Sequence, residues 1–123
     1  MLAGIGHLHY VASPYTHFPE GREQAWKEAC AATGKMMQLG IQCFSPIAHG
    51  HALTSHSDLD PLDAELWKLI DQKYVEMCDA LIVLKMEGWT SSEGVNHEIR
   101  EFKKTDRPIY LIHPIFLIGE QLQ

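Results

Sequence analysis

The sequence predicts an α/β protein built on a three-layer, doubly wound parallel sheet of four or five strands, and three observations predict it. Short apolar, β-prone runs alternate with longer stretches of helical periodicity. Helical connections of that length carry the chain from one strand to the next in parallel, with right-handed crossovers. The run Ala80-Leu81-Ile82-Val83-Leu84 is apolar at every position, which marks a strand covered on both faces. Size agrees with this: 123 residues is the length of one domain, and folding at this mass buries roughly two-thirds of the unfolded chain's surface without disulfide or metal staples.

Each element has its own signal. Ile5 to Ser13 reads as the first strand, with Leu8, Tyr10 and Val11 in an apolar run that Pro14 ends. A loop rich in turn formers leads through Gly21. From Arg22 to Leu39, the residues Ala25, Ala29, Ala32, Met36 and Leu39 recur at helical spacing, and Gly40 supplies a left-handed stop. Ile41 to Ser45, closed by Pro46, reads as a second strand. A polar loop is expected from Ile47 to Asp60, and Asp60-Pro61 looks like an N-cap followed by proline at the first helical position. The next helix is expected from about Pro61 to Cys78, with Leu66, Trp67, Ile70, Tyr74 and Met77 on one face. After the strand at Ala80 to Leu84 and a turn at Glu87-Gly88-Trp89, Thr90-Ser91-Ser92-Glu93 offers capping chemistry for a third helix reaching about Lys104. Asp106-Arg107-Pro108 breaks that helix, and Ile109 to His113 forms the last strand. The order β-α-β-α-β-α-β is that of a single-domain flavodoxin- or Rossmann-like fold, without repeat, low-complexity tract or linker.

Composition removes several function classes. With 16 acidic and 10 basic residues, the net charge is −6 with histidine neutral, and no basic run exists, so a nucleic acid polymer is not the expected partner. The longest uninterrupted apolar run falls far short of the roughly 18 residues that span a membrane. The N-terminus lacks the features of a secretory signal. Cys30, Cys43 and Cys78 are odd in number and widely spaced, as expected of reduced thiols in a cytoplasmic protein.

In open α/β sheets, ligands sit beyond the carboxyl ends of the strands. That rule selects Ser13-Pro14-Tyr15, the Ser45 to His49 segment, Glu87 to Ser92, and His113. The sharpest feature is Ser91-Ser92-Glu93-Gly94-Val95-Asn96-His97-Glu98, a helix start whose free N–H groups, hydroxyls and glycine suit an anion such as phosphate. Glu98 lies four residues beyond Gly94, about 6 Å along the helix axis, placing a carboxylate one turn from the anion. The plainer alternative is an N-capping Ser92 and a solvated Glu98. Glu98 and Asp71 could divide nucleophile and proton-handling roles; Asp79 is a weaker partner because it sits at the amino edge of the sheet. His49, His51 and His56 lack the further ligands of a recognised zinc pattern, His97-Glu98 lacks the second histidine of a metalloprotease helix, and Gly4-x-Gly6 precedes its strand where a dinucleotide fingerprint follows one. No metal and no cofactor are therefore expected. Arg22, near a helix start, is a candidate for pairing with phosphate.

These residues resemble the nucleoside 2-deoxyribosyltransferase-like superfamily, and most closely a family of small uncharacterised bacterial proteins within it. The resemblance covers nearly the whole chain. It rests on Tyr10-Val11-Ala12-Ser13-Pro14-Tyr15, Ser45-Pro46-Ile47, Trp67 with Asp71, Cys78-Asp79-Ala80-Leu81-Ile82-Val83-Leu84, and Gly88-Trp89 leading into Ser92-x-Gly94-Val95-x-x-Glu98. It implies that Glu98 is the nucleophile attacking the anomeric carbon and that Asp71 assists. Ser92 stands where deoxyribosyltransferases carry aspartate and where the related nucleotide N-glycosidases carry a phosphate-contacting serine. Gly21-Arg22-Glu23 is similar to the glycosidases' Gly-Arg-Glu stretch, displaced by several residues. The implied activity is cleavage of the base–sugar bond of a nucleoside 5′-monophosphate or nucleoside. Tyr15 and Trp89 are candidates to enclose the base, with Ser13, His49, Ser92 and Gly94 completing the site. A homodimer or higher homo-oligomer is expected, with Ile115-Phe116-Leu117-Ile118 as its candidate surface. The competing reading is a non-catalytic nucleotide-binding or sensing domain on the same fold.

Overall fold

The computed structural model describes residues 6–114. The order is β1 (His9–Ala12), α1 (Arg22–Gln38), β2 (Cys43–Phe44), α2 (Pro46–Thr54), α3 (Ala64–Met77), β3 (Ala80–Leu84), a single 3₁₀ turn at Trp89–Ser91, α4 (Glu93–Lys104) and β4 (Ile109–Ile112). The four strands form one sheet in the order β2-β1-β3-β4, and every pairing is parallel. The chain therefore winds outward one way from β1 to β2 and the other way from β3 to β4. The point of reversal lies between β1 and β3, where Tyr10 pairs with Leu81 and Ala12 with Val83.

Alternation along the strands divides the core into two apolar layers. Val11, Ile82 and Leu84 face one way and pack with Ala25, Ala32 and Met36 of α1. Tyr10, Ala12, Leu81 and Val83 face the other way and meet Val75 of α3 and Val95 and Phe102 of α4. This gives the expected three layers. All five residues of β3 are buried, as a central strand covered on both faces requires. The alanine stripe of α1 keeps that helix close to the sheet.

The structure corrects four sequence expectations. The segment expected as a polar loop from Ile47 to Asp60 is helical as far as Thr54. Ser45 caps that helix by accepting the Ala48 N–H at 3.0 Å, and Pro46 occupies its first turn, so the proline that ends β2 also starts α2. α3 starts at Ala64 instead of Pro61, because the capping residue is Asp63, whose Oδ1 accepts the Leu66 N–H at 3.2 Å. Asp60 instead closes a tight turn through Leu62 N–H. Met77, expected on the buried face, is 65% exposed, and Val75 and Cys78 are buried instead. β1 and β2 are shorter than expected, because only His9–Ala12 and Cys43–Phe44 find ladder partners. The apolar segment Ile115 to Ile118 lies outside the described residues. The other boundaries agree with expectation: Gly40 is left-handed at φ 86°, and Ser92 caps α4. No described helix is long and apolar enough to cross a membrane.

Candidate active site

A cavity of about 420 Å³ opens at the carboxyl edge of the sheet, at the reversal point where this fold class places its ligands. β1 continues into its wall through Ser13, Pro14 and Tyr15, and α2 adds Ile47, Gly50 and His51. α3 contributes Trp67 and Asp71, and the start of α4 contributes Ser92, Gly94 and Glu98.

Glu98 and Asp71 form the acidic side. The Tyr10 hydroxyl, carried on the fully buried middle of β1, donates to Glu98 Oε2 at 3.3 Å. Burial, and then the negative charge of Asp71, push the Glu98 carboxyl up to about 8, against the opposing pull of that hydrogen bond. Burial also pushes Asp71 up to about 6. Two carboxyls in one cavity resist carrying two charges, so between those values the pair holds a single proton. The Tyr10 phenol is itself raised, first by burial and then by Glu98, so it keeps its proton and stays a donor.

The start of α4 supplies the opposite polarity. Ser92 Oγ accepts the Val95 N–H at 3.3 Å, while the N–H groups of Glu93 and Gly94 precede the first intrahelical bond. A Cβ on Gly94 would meet nothing within 4 Å, so packing does not require this glycine, and the space in front of it belongs to the cavity. Ser13 is 7% exposed, and its Oγ is buried without a hydrogen-bond partner. An orphaned hydroxyl in a cavity wall is a group whose partner is a ligand or ordered water.

The third wall is aromatic. Trp67 is pinned by a 2.8 Å bond from its indole N–H to the Asp60 carbonyl, and a Cβ on Gly50 would lie 3.1 Å from its ring. Glycine at that position lets the indole lie against α2. Tyr15 and His51 meet at 2.6 Å between hydroxyl and Nδ1.

A family described as a domain of unknown function, DUF1937, matches residues 7–113. The chain belongs to the DUF1937 family. That span holds all four described strands and the entire cavity lining, so the site just described is part of the DUF1937 domain itself. No curated protein matches the chain.

Of the residues singled out from the sequence, Ser13, Tyr15, Asp71, Ser92, Gly94 and Glu98 meet in this DUF1937 cavity. Three do not line it. His49 is exposed and packs against Phe44 and Tyr74. It is two residues from His51, which faces Trp26 and Tyr15. Positions two apart on a helix are separated by about 200°, so these histidines point away from each other. No group of three metal-binding side chains occurs among the described residues. Trp89 packs on the core layer beneath α4. Arg22 stands at the first turn of α1, near enough to Tyr15 for its charge to act on the phenol, with Nη1 buried and unpartnered.

Sequence reasoning missed Tyr10, Trp67 as a wall, and Gly50, and placed His51 only as one of several loop histidines at the site edge. Tyr10 carried a usable signal: a tyrosine inside a fully apolar strand needs a partner for its hydroxyl. His51 was masked by the loop assignment, because helical spacing is what separates it from His49.

Proposed function

We propose that this protein is an N-glycosidase that cleaves the base–sugar bond of a nucleoside 5′-monophosphate or nucleoside, with Glu98 as nucleophile. The observation that carries the reading is the pairing of Glu98 with Asp71 and the Tyr10 hydroxyl, one helical turn from an anion-suited helix start. The resemblance of Ser92-x-Gly94-Val95-x-x-Glu98 to the nucleoside 2-deoxyribosyltransferase-like superfamily supports it. So does the cavity volume, which falls in the range of small-molecule sites, roughly 300 to 1,000 Å³.

The pair's single proton rests on Glu98, the more strongly raised of the two; attack proceeds from the minor form in which that proton has moved to Asp71 and the ionised Glu98 accepts the Tyr10 hydroxyl. The 5′-phosphate lies against the N–H groups of Glu93 and Gly94 and the Ser92 hydroxyl. Glu98 attacks the anomeric carbon as the bond to the base breaks; the bond's electron pair leaves with the base, which takes up the proton given up by Asp71. Esterified Glu98 no longer carries charge, so Asp71 now ionises readily and accepts a proton from the attacking water. Hydrolysis restores the starting state. No cofactor and no metal enter these steps.

The test is chromatographic release of free base from a panel of nucleosides and deoxynucleoside 5′-monophosphates. Wild-type protein is expected to release base and Glu98→Ala to release none. Inactivity of wild type across the panel, or equal turnover by Glu98→Ala, rejects the reading. Tight nucleotide binding by calorimetry without base release would assign a binding or sensing role instead.

A further inference from the structure

Tyr15 and His51 form a cluster on a different wall of the cavity from Glu98. Glu98 belongs with Tyr10, on the sheet face covered by α3 and α4. Tyr15 packs with the layer beneath α1. A substrate whose sugar lies at Glu98 and whose phosphate lies at the start of α4 therefore has its base left to occupy the Tyr15, His51 and Trp67 side. That side is suited to a planar ring, because Trp67 presents its indole and Pro46 and Ile47 add apolar wall.

The His51 ring is held on three counts. Trp26 stacks on it with centroids 4.7 Å apart, Tyr15 meets it edge-on, and its Nδ1 is bonded to the Tyr15 hydroxyl at 2.6 Å. Trp26 is fixed in turn by its own N–H bond to the Ala48 carbonyl at 3.3 Å. Burial raises the Tyr15 phenol, while the Arg22 charge and the Thr54 hydroxyl act to lower it. A neutral phenol keeps its proton to donate, and the tautomer in which Tyr15 O–H donates to Nδ1 puts the ring's own proton on Nε2. Nε2 is the polar atom of this ring with no protein partner among the described residues. A ring fixed by stacking, with one nitrogen satisfied and the other available in a cavity, is a preorganised hydrogen-bond donor.

We infer that His51, oriented by Tyr15, donates from Nε2–H to an acceptor atom on the edge of the departing base, and that this contact recognises the base and stabilises the charge it gains as the glycosidic bond breaks. No proton need leave His51 in this step: the broken bond's electron pair moves onto the base, the hydrogen bond strengthens as it does so, and the proton comes from Asp71. Tyr15 is a positioning residue, acting through His51. The inference rests on the N-glycosidase reading and adds to it which wall takes the base.

The experiment compares two classes of leaving group. Wild type, His51→Phe and Tyr15→Phe are assayed on deoxynucleoside 5′-monophosphates and on 4-nitrophenyl 2-deoxyriboside 5′-phosphate, whose nitrophenolate leaves without help and lacks a heterocyclic edge. Losing one hydrogen bond to developing charge corresponds to about tenfold to a hundredfold. His51→Phe is expected to lose about that much in kcat on the nucleotides and far less on the nitrophenyl substrate, and Tyr15→Phe to show the same split more weakly. If both variants lose equally on the two substrates, or lose nothing on the nucleotides, the role of His51 is overturned and Glu98 chemistry stands. If wild type releases neither base nor nitrophenolate, or Glu98→Ala matches wild type, the N-glycosidase reading itself fails and this inference falls with it.

Discussion

The two edges of the sheet carry similar residues in opposite states. At the amino edge, Asp79 Oδ2 accepts the Leu8 N–H at 2.7 Å. Arg107 donates to the carbonyls of Val75 and Cys78 at 2.6 and 2.7 Å and lies 3.9 Å over the Phe102 ring. These charges are exposed or fully partnered, and they tie the end of α3 to the sheet. At the carboxyl edge, Asp71 is raised by burial and Glu98 by burial and then by the Asp71 charge, and Ser13 Oγ and Arg22 Nη1 have no partner. An aspartate at one edge completes the fold, whereas at the other it is held where ionisation is costly. The difference teaches that chemistry-bearing residue types locate nothing by themselves. What marks the site is a cost left unpaid by the protein.

The contrast can be broken most sharply by removing one carboxylate from each edge. Glu98→Ala is expected to lower the rate of base release on the order of a thousandfold or more, as loss of a nucleophile does. Asp79→Ala is expected to retain base release and to lose about 1 to 2 kcal/mol in urea denaturation, the value of a hydrogen bond to a charged group. Equal effects of the two substitutions on turnover would erase the distinction between the edges.

Stability should respond in the opposite sense to activity. Arg107→Ala leaves the carbonyls of Val75 and Cys78 without their donor and removes the cation from the Phe102 ring, so a loss of about 2 to 3 kcal/mol is expected from denaturant titration. Glu98→Gln is expected to stabilise the protein. Glu98 binds its proton more tightly in the folded chain, at about 8 against an ordinary 4.5. The folded state therefore carries no penalty from this group below about 4.5, and the penalty accrues as pH rises through about 8. Because the carboxyl keeps some contact with solvent, the expected gain of Glu98→Gln at pH 8 is about 1 to 2 kcal/mol, vanishing near pH 4. Thermal melts of both proteins across that interval check the sign. A wild-type stability that climbs with pH would contradict it.

The smallest expected effect separates packing from ligand space at one residue. Gly94→Ala places its Cβ in open space within a helix, so stability should rise by about 0.5 to 1 kcal/mol. The same methyl group intrudes on the anion-suited wall, so KM for a nucleoside 5′-monophosphate should rise while that for the unphosphorylated nucleoside changes less. Equal changes in both would remove the phosphate from this wall.

How much of this was legible beforehand follows from range of interaction. β3, the α4 cap at Ser92 and the stop at Gly40 are set by neighbours within a few residues, and sequence patterns report such neighbours well. α2 is hidden because Ser45-Pro46 also ends a strand, although serine followed by proline is the same start signal as Asp60-Pro61. Asp60 then lost the cap to Asp63 because both offer a carboxylate and local chemistry does not choose between them. At the site, Glu98, Asp71, Ser92 and Gly94 were legible because helical spacing and the carboxyl-edge rule act along the chain. Tyr10 with Glu98, and Tyr15 with His51, are 88 and 36 residues apart, and only the assembled sheet brings them together. Trp89 is of the residue type that encloses a base, yet it is half-buried against the core layer beneath α4 and outside the cavity lining.

The most direct test of the central claim, that Glu98 is the nucleophile and Asp71 the group that later activates water, uses Asp71→Asn with 4-nitrophenyl 2-deoxyriboside 5′-phosphate. The first step needs no acid with this leaving group, and the second lacks its base. The account predicts a burst of one nitrophenolate per site followed by slow turnover, with intact-mass and peptide analysis placing one deoxyribosyl phosphate on Glu98. A label on any other residue, or nitrophenolate release by Glu98→Ala at the wild-type rate, would contradict it.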